Sequence, residues 1–136
     1  MLNKVIVEDL YRYEGRDSKT LKTQLRYLLF VPGFQYTYLL RKTQMASNKI
    51  SRVFFMALLK LCQFKFAIQI PHQTKIGRGF RISHWGHIVV NPNVVIGDNF
   101  NISQGCLIGN AQGKKKGVPR IGNNVCMNAN SIIVGG

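Results

Sequence analysis

At 136 residues, 46% of them apolar, the chain has room for one compact domain, or a domain with a helical arm, but not for two full domains. Its 19 Lys and Arg against 5 Asp and Glu give a formal charge of +14, which points to a negatively charged partner or surface without naming it. Cys62, Cys106 and Cys126 are odd in number, widely spaced and free of CxxC or Cys/His clusters, which argues against a disulfide framework and against a zinc site.

The opening MLNKVIVEDLYRYEG carries acids early and has no apolar stretch ending in small residues, so no signal peptide is expected, and a reducing cytoplasm is. LKTQLRYLLF, from Leu21, has a helical pattern that Asp17 or Ser18 can cap and that Pro32 and Gly33 break. A second helix follows, with Ser47 as its expected cap. Ile50, Val53, Phe54, Ala57, Leu58 and Leu61 recur along one stripe, widened by Phe55, Met56 and Leu59. The longest apolar run, Val53 to Leu59, is seven residues against roughly 20 for a spanning helix, so no transmembrane segment is expected. Between Asp17 and Asp98 there is no acid, yet that interval holds twelve Lys and Arg, nine of them in the helical part. Such a region suits an anionic membrane surface, or else a solvated face with a packing contact. Nucleic acid is not expected, because no recognised RNA- or DNA-binding module accompanies the charge.

From Ile70 the pattern changes to a period of six. Ile70, Ile76, Ile82 and Ile88 are six apart. After a two-residue shift Val90, Ile96, Ile102 and Ile108 are again six apart, and Ile121, Met127 and Ile133 resume after an interruption. At about 100° per residue, six steps leave a helix 240° out of phase, and a simple alternating strand does not select every sixth residue. The repeat predicts a solenoid of short strands and tight turns with the aliphatics inside a prism. Ile-Gly at 76, 96, 108 and 121, followed by Asn and Asp, supports it.

The run IPHQTKIGRGFRISHWGHIVVNPNVVIGDNFNISQGCLIGN, then KKKGVPRIGNNVCMNANSIIVGG, resembles the hexapeptide-repeat acyltransferases, within them the serine acetyltransferase group and its relatives in surface-polysaccharide biosynthesis. The resemblance covers about half of the chain. It implies a mainly β protein with an α N-terminal region: a basic helical part over 1–68, then a left-handed parallel β-helix over 69–136 with a projecting loop at 109–120. It also implies a homotrimer that binds acetyl-CoA between adjacent subunits and needs no metal. In the family the histidine at the slot of His84 is the general base, taking a proton from the attacking hydroxyl; without the motif it would read as a surface histidine. Gly109 and Asn110 fall where main-chain N–H groups lie near the thioester, Ala129 at a coil position facing the cofactor, and Lys114, with Lys115 and Lys116, in a loop able to meet phosphates.

Departures from the serine enzymes bear on the acceptor. Ser83-His84 stands where they read Asp-His, Gln69 where a carboxylate orients the base, and Gly117-Val118-Pro119 where Arg-His-Pro grips the amino acid. Without those charges free serine is disfavoured. Ser83, Trp85, His87 and Gln104 suit a sugar hydroxyl, small or lipid-linked, with Trp85 as an aromatic platform or a packing residue. The expectation is acetyl-CoA-dependent O-acetylation of a surface-polysaccharide sugar, in the cytoplasm or on the inner face of the membrane. Serine O-acetylation and a shortened, non-catalytic scaffold are the alternatives, the last because relatives carry a further coil and tail beyond the position of Gly136.

Overall fold

The computed structural model describes residues 2–15, 19–113 and 116–136. Four helices come first: α1 (Lys4–Glu14), α2 (Leu21–Phe30), α3 (Pro32–Met45) and α4 (Lys49–Phe66). Helix α1 lies in the part that the resemblance makes helical. Its run Val5-Ile6-Val7 has poor helix propensity, and packing of Ile6 and Leu10 against Tyr27 and Phe34 outweighs that preference. The expected caps shift as well. Asp17 and Ser18 lie outside the described residues, and Thr20 caps α2, accepting from the Thr23 N–H at 3.3 Å. Asn48, not Ser47, caps α4, accepting from the Ser51 N–H at 2.8 Å. The break at Pro32 is a single extended residue, Val31. Proline then occupies the first turn of α3, where its missing N–H costs nothing.

Ten short strands follow in three parallel sheets, the faces of a prism. Face A holds β1 (Ile68–Gln69), β4 (Ile88–Val90), β7 (Leu107–Gly109) and β10 (Ile132–Val134); face B holds β2 (Lys75–Ile76), β5 (Val95–Ile96) and β8 (Arg120–Ile121); face C holds β3 (Arg81–Ile82), β6 (Asn101–Ile102) and β9 (Cys126–Met127). This is the left-handed β-helix that the resemblance implies. The repeat aliphatics stack inside in register, Ile76 on Ile96 on Ile121 and Ile82 on Ile102 on Met127. One member moves to another column: Ile88 pairs with Ile68, and Val90 takes the phase of the repeat above Ile108. Asparagines serve the corners because they tolerate left-handed backbone. Asn99 (φ 57°) and Asn124 (φ 58°) stack, joined by an amide hydrogen bond of 3.0 Å.

The expected helical arm packs as a lid on the first coil. A solenoid end exposes main-chain donors and acceptors that need partners. On face A the buried Tyr36 hydroxyl donates to the Ile70 carbonyl (2.9 Å) and accepts from the Ile70 N–H (3.0 Å). On face C the Tyr13 hydroxyl does the same at Ile82, at 3.1 and 2.9 Å. On face B Arg41 donates to the carbonyls of Ile76 (2.7 Å) and Gly77 (2.5 Å), and Gln44 donates to those of His72 (3.1 Å) and Thr74 (3.0 Å). The buried Asp9 carboxylate accepts from Arg41 Nε at 2.8 Å and from the Phe80 N–H at 2.8 Å. Burial pushes the Asp9 carboxyl above its usual range, against the pull of Arg41 and of the Phe80 and Gly79 N–H groups. Gly33 lies inside α3 because a Cβ there would run into the Ile82 carbonyl oxygen.

Helix α4 turns a different face inward from the expected stripe. Leu59, Cys62, Gln63 and Phe66 face α3 and the first coil, with Leu59 and Phe66 buried and Gln63 bonded to the Tyr36 hydroxyl at 3.3 Å. Ile50, Val53, Phe54 and Leu61 are exposed instead. The helix is apolar on more than one side, so periodicity alone does not select the inner face.

Candidate functional site

The chain turns from face C to face A at three stacked corners, and the first breaks the repeat. Ile82 pairs with Ile102 and Val89 with Leu107, so seven steps in the upper coil lie over five in the one below. The third corner also takes five, from Met127 to Ile132. The two extra residues explain the two-residue shift in the sequence and push corner 83–87 outward.

That corner carries the expected base and its neighbours. His84 and His87 are exposed, and Trp85 is 51% exposed. Gly86 (φ 113°) and His87 (φ 53°) turn the chain through left-handed backbone, which a histidine adopts at a cost of about 1–2 kcal/mol. Ser83 is fixed from below, its hydroxyl donating to Asn101 Oδ1 at 2.7 Å. The stacking continues down the edge: the Gly105 N–H donates to the Gly86 carbonyl (2.9 Å), and the Asn130 N–H to the Gln104 carbonyl (2.9 Å). The register therefore puts Gln104 under corner 83–87 and Ala129 under Gln104. Ser83, His84, Trp85, His87, Gln104 and Ala129 share one edge of the prism.

The remaining expected residues lie elsewhere. Gly109 ends β7, and Asn110 follows at the corner from face A to face B, roughly 10 Å away across a three-residue strand. There an antiparallel bridge between Ala111 and Gly117 (3.0 and 3.2 Å) closes the projecting loop, and Asn91, Asn93, Asn110, Gln112 and Lys116 line a hollow of about 680 Å³. Lys114 and Lys115 lie outside the described residues. Within one chain the two groups face different edges.

Face A lies between those edges, and the sequence reading did not single it out. Its outward residues are Gln69, Val89, Leu107 and Ile132 in register, with Ile132 67% exposed. Face B presents Lys75, Val95 and Arg120, and face C presents Arg81, Asn101 and Cys126. Face A alone carries no charge. The available signal was the outward position of its strands, apolar at Val89, Leu107 and Ile132, where the corresponding positions of the other faces include Lys75, Arg120 and Arg81. Among the described residues no group of His, Cys, Asp and Glu is placed to hold a metal ion.

No family model matches the chain. Over 70 residues, 52% of its length, it is 44% identical to a protein of Escherichia coli K12 named as a colanic acid biosynthesis acetyltransferase, WcaB, and spans 43% of that protein. It is 29% identical over 122 residues to the serine acetyltransferase of Helicobacter pylori, a match that takes in 88% of this chain and 71% of that one. A serine acetyltransferase solved in complex with CoA superposes on 97% of this chain with a TM-score of 0.73 and 25% identity, and 54% of that chain is covered. The chain is similar to acetyltransferases of the serine and colanic acid kinds. It spans less than half the length of the colanic acid protein and about half that of the solved enzyme. The solved enzyme extends the likeness through the helices, since nearly the whole chain takes part in the superposition.

Proposed function

We propose that the chain is an acetyl-CoA-dependent O-acetyltransferase that works as a homotrimer in the cytoplasm and modifies a hydroxyl of a surface-polysaccharide sugar or its precursor, free or lipid-linked. The observation that carries this reading is the widened corner 83–87, which raises His84 and Trp85 at the rim of the one uncharged face. Two further copies packed against the Val89, Leu107 and Ile132 column would bring that rim beside a neighbour's loop at 109–120, joining groups that one chain keeps apart. Gly109, Asn110 and Ala129, with Lys114 in the loop, would hold the donor, which supplies an activated acyl group as a thioester. His84 takes the acceptor's hydroxyl proton as the oxygen forms its bond to the acyl carbon, and returns that proton to the departing thiolate. The products are an acetyl ester and a free thiol. Such a base contributes ~10²–10⁴ in rate.

Likeness to the colanic acid protein and Trp85 beside His84 favour a sugar acceptor. Likeness to the Helicobacter pylori enzyme keeps serine as the second reading, against which stand the uncharged Gln69, Ser83 and Val118 at the positions that resemblance assigns to charged or imidazole groups. Thiol release from acetyl-CoA, with wild type and His84→Ala offered activated or oligomeric sugars and serine, tests both. Sugar-dependent release lost in the variant is expected. Release with serine alone would transfer the assignment to the second reading, and no release with any acceptor would refute acetyl transfer.

A further inference from the structure

The outer face of α4 is an apolar seam without a cover. Ile50, Phe54, Ala57, Leu61 and Phe64 follow one another at steps of four, three, four and three, the spacing of one continuous stripe. Ile50 is 84% exposed, Phe54 58%, Leu61 65% and Phe64 75%. From Ile50 to Phe64 the stripe runs about 21 Å, yet among the described residues no helix is long and apolar enough to cross a membrane. Its borders are cationic: Lys49, Arg52, Lys60 and Lys65 are exposed, and α4 has no acid. Helix α2 repeats the arrangement with Leu21, Leu25 and Leu29 exposed at steps of four beside Lys22 and Arg26, although Arg26 lies 3.8 Å from Glu14.

Two occupants match an apolar stripe of this length, and charge separates them. A second copy of α4 would set lysine against lysine along the seam in either direction, with no acid on the helix to compensate. A bilayer with anionic headgroups receives the aromatic and aliphatic stripe in its interfacial layer while the flanking ammonium groups stay at headgroup level. We propose that the outer face of α4 docks the protein, as a peripheral protein, on an anionic lipid surface. This rests on no step of acetyl transfer and is read without turnover, so it fails or stands apart from the enzymatic assignment.

The test is co-sedimentation of the full chain with vesicles of phosphatidylcholine alone and of phosphatidylcholine with about 30% phosphatidylglycerol. Binding to the anionic vesicles only is expected, weakened in 1 M salt, where the screening length falls to about 3 Å. Lys60→Gln with Lys65→Gln should lower the partition about 30-fold, and Phe54→Ser, Leu61→Ser and Phe64→Ser together should abolish it, with circular dichroism confirming the fold of each. Should a variant fail to fold, the lipid and salt series on wild type still decides. Equal binding to neutral vesicles, binding retained in a folded triple variant, or no binding together with a concentration-dependent assembly that the triple variant dissolves would each overturn the proposal, the last by showing a second copy on this face.

Discussion

Replacing Tyr36 by phenylalanine removes a single oxygen and leaves the buried ring in place. That oxygen satisfies both main-chain groups of Ile70 and receives the Gln63 amide at 3.3 Å. A buried donor or acceptor left without a partner costs about 1–3 kcal/mol, so losing both at Ile70 should cost about 2–6 kcal/mol. At roughly 3–4 °C per kcal/mol for a chain of this size, the melting point should fall by about 6–24 °C. Urea denaturation followed by circular dichroism measures the free energy, with Tyr11→Phe, at an exposed ring, as a control expected within about 0.5 kcal/mol of wild type. The same hydroxyl sets an alkaline limit. Burial raises its pKa from 10.0 to about 12, so its contribution is complete below about pH 10 and is lost as pH rises through 12, a change of about 2–3 kcal/mol that Tyr36→Phe should remove. Indistinguishable behaviour of Tyr36→Phe and Tyr11→Phe would refute the lid as a hydrogen-bonded closure of the first coil.

Asp9→Leu and Arg41→Met should each cost about 3–5 kcal/mol, because either leaves a buried group without its partner, and the double substitution should cost clearly less than their sum; additivity in a double-mutant cycle would deny the coupling. Gly33→Ala, though a gain in helix propensity, should destabilise by about 1–3 kcal/mol in urea, since the new methyl meets the Ile82 carbonyl. Val89→Asp with Leu107→Asp should shift the mass measured by light scattering from trimer to monomer, with the far-ultraviolet spectrum of the β-helix retained.

The period of six was legible because each coil obeys the same packing rule independently of its neighbours, and even its two-residue slip marked a real feature, the widened corner at His84. What lay beyond the pattern depends on contacts distant in sequence. Tyr13 meets Ile82 across 69 residues and Asp9 meets Phe80 across 71, so nothing local to α1 announces its part in the lid. The inner face of α4 was misread for a related reason: Leu59 and Phe66 face the protein while Ile50 and Leu61 do not, and only the position of α3 decides between two similarly apolar sides. Among the site residues, motif order brought Ser83, His84, Gln104 and Ala129 to one edge, whereas Gly109 and Asn110, close in sequence to Gln104, are separated from it by a strand that spans a whole face.

The hydrogen bonds from the lid go to main-chain atoms of the β-helix, beside the apolar packing of Tyr36, Leu40, Leu59 and Phe66 and the ion pair of Glu8 with Arg78. Tyr13, Tyr36, Arg41, Gln44 and Asp9 address carbonyls and N–H groups of Ile82, Ile70, Ile76, Gly77, His72, Thr74 and Phe80, never their side chains. Atoms common to every residue carry no sequence information, so these hydrogen bonds constrain the path of the first coil, while the apolar contacts constrain its composition. A helical unit moved onto another three-sided array of the same pitch would keep these hydrogen bonds and would have to match its apolar contacts anew.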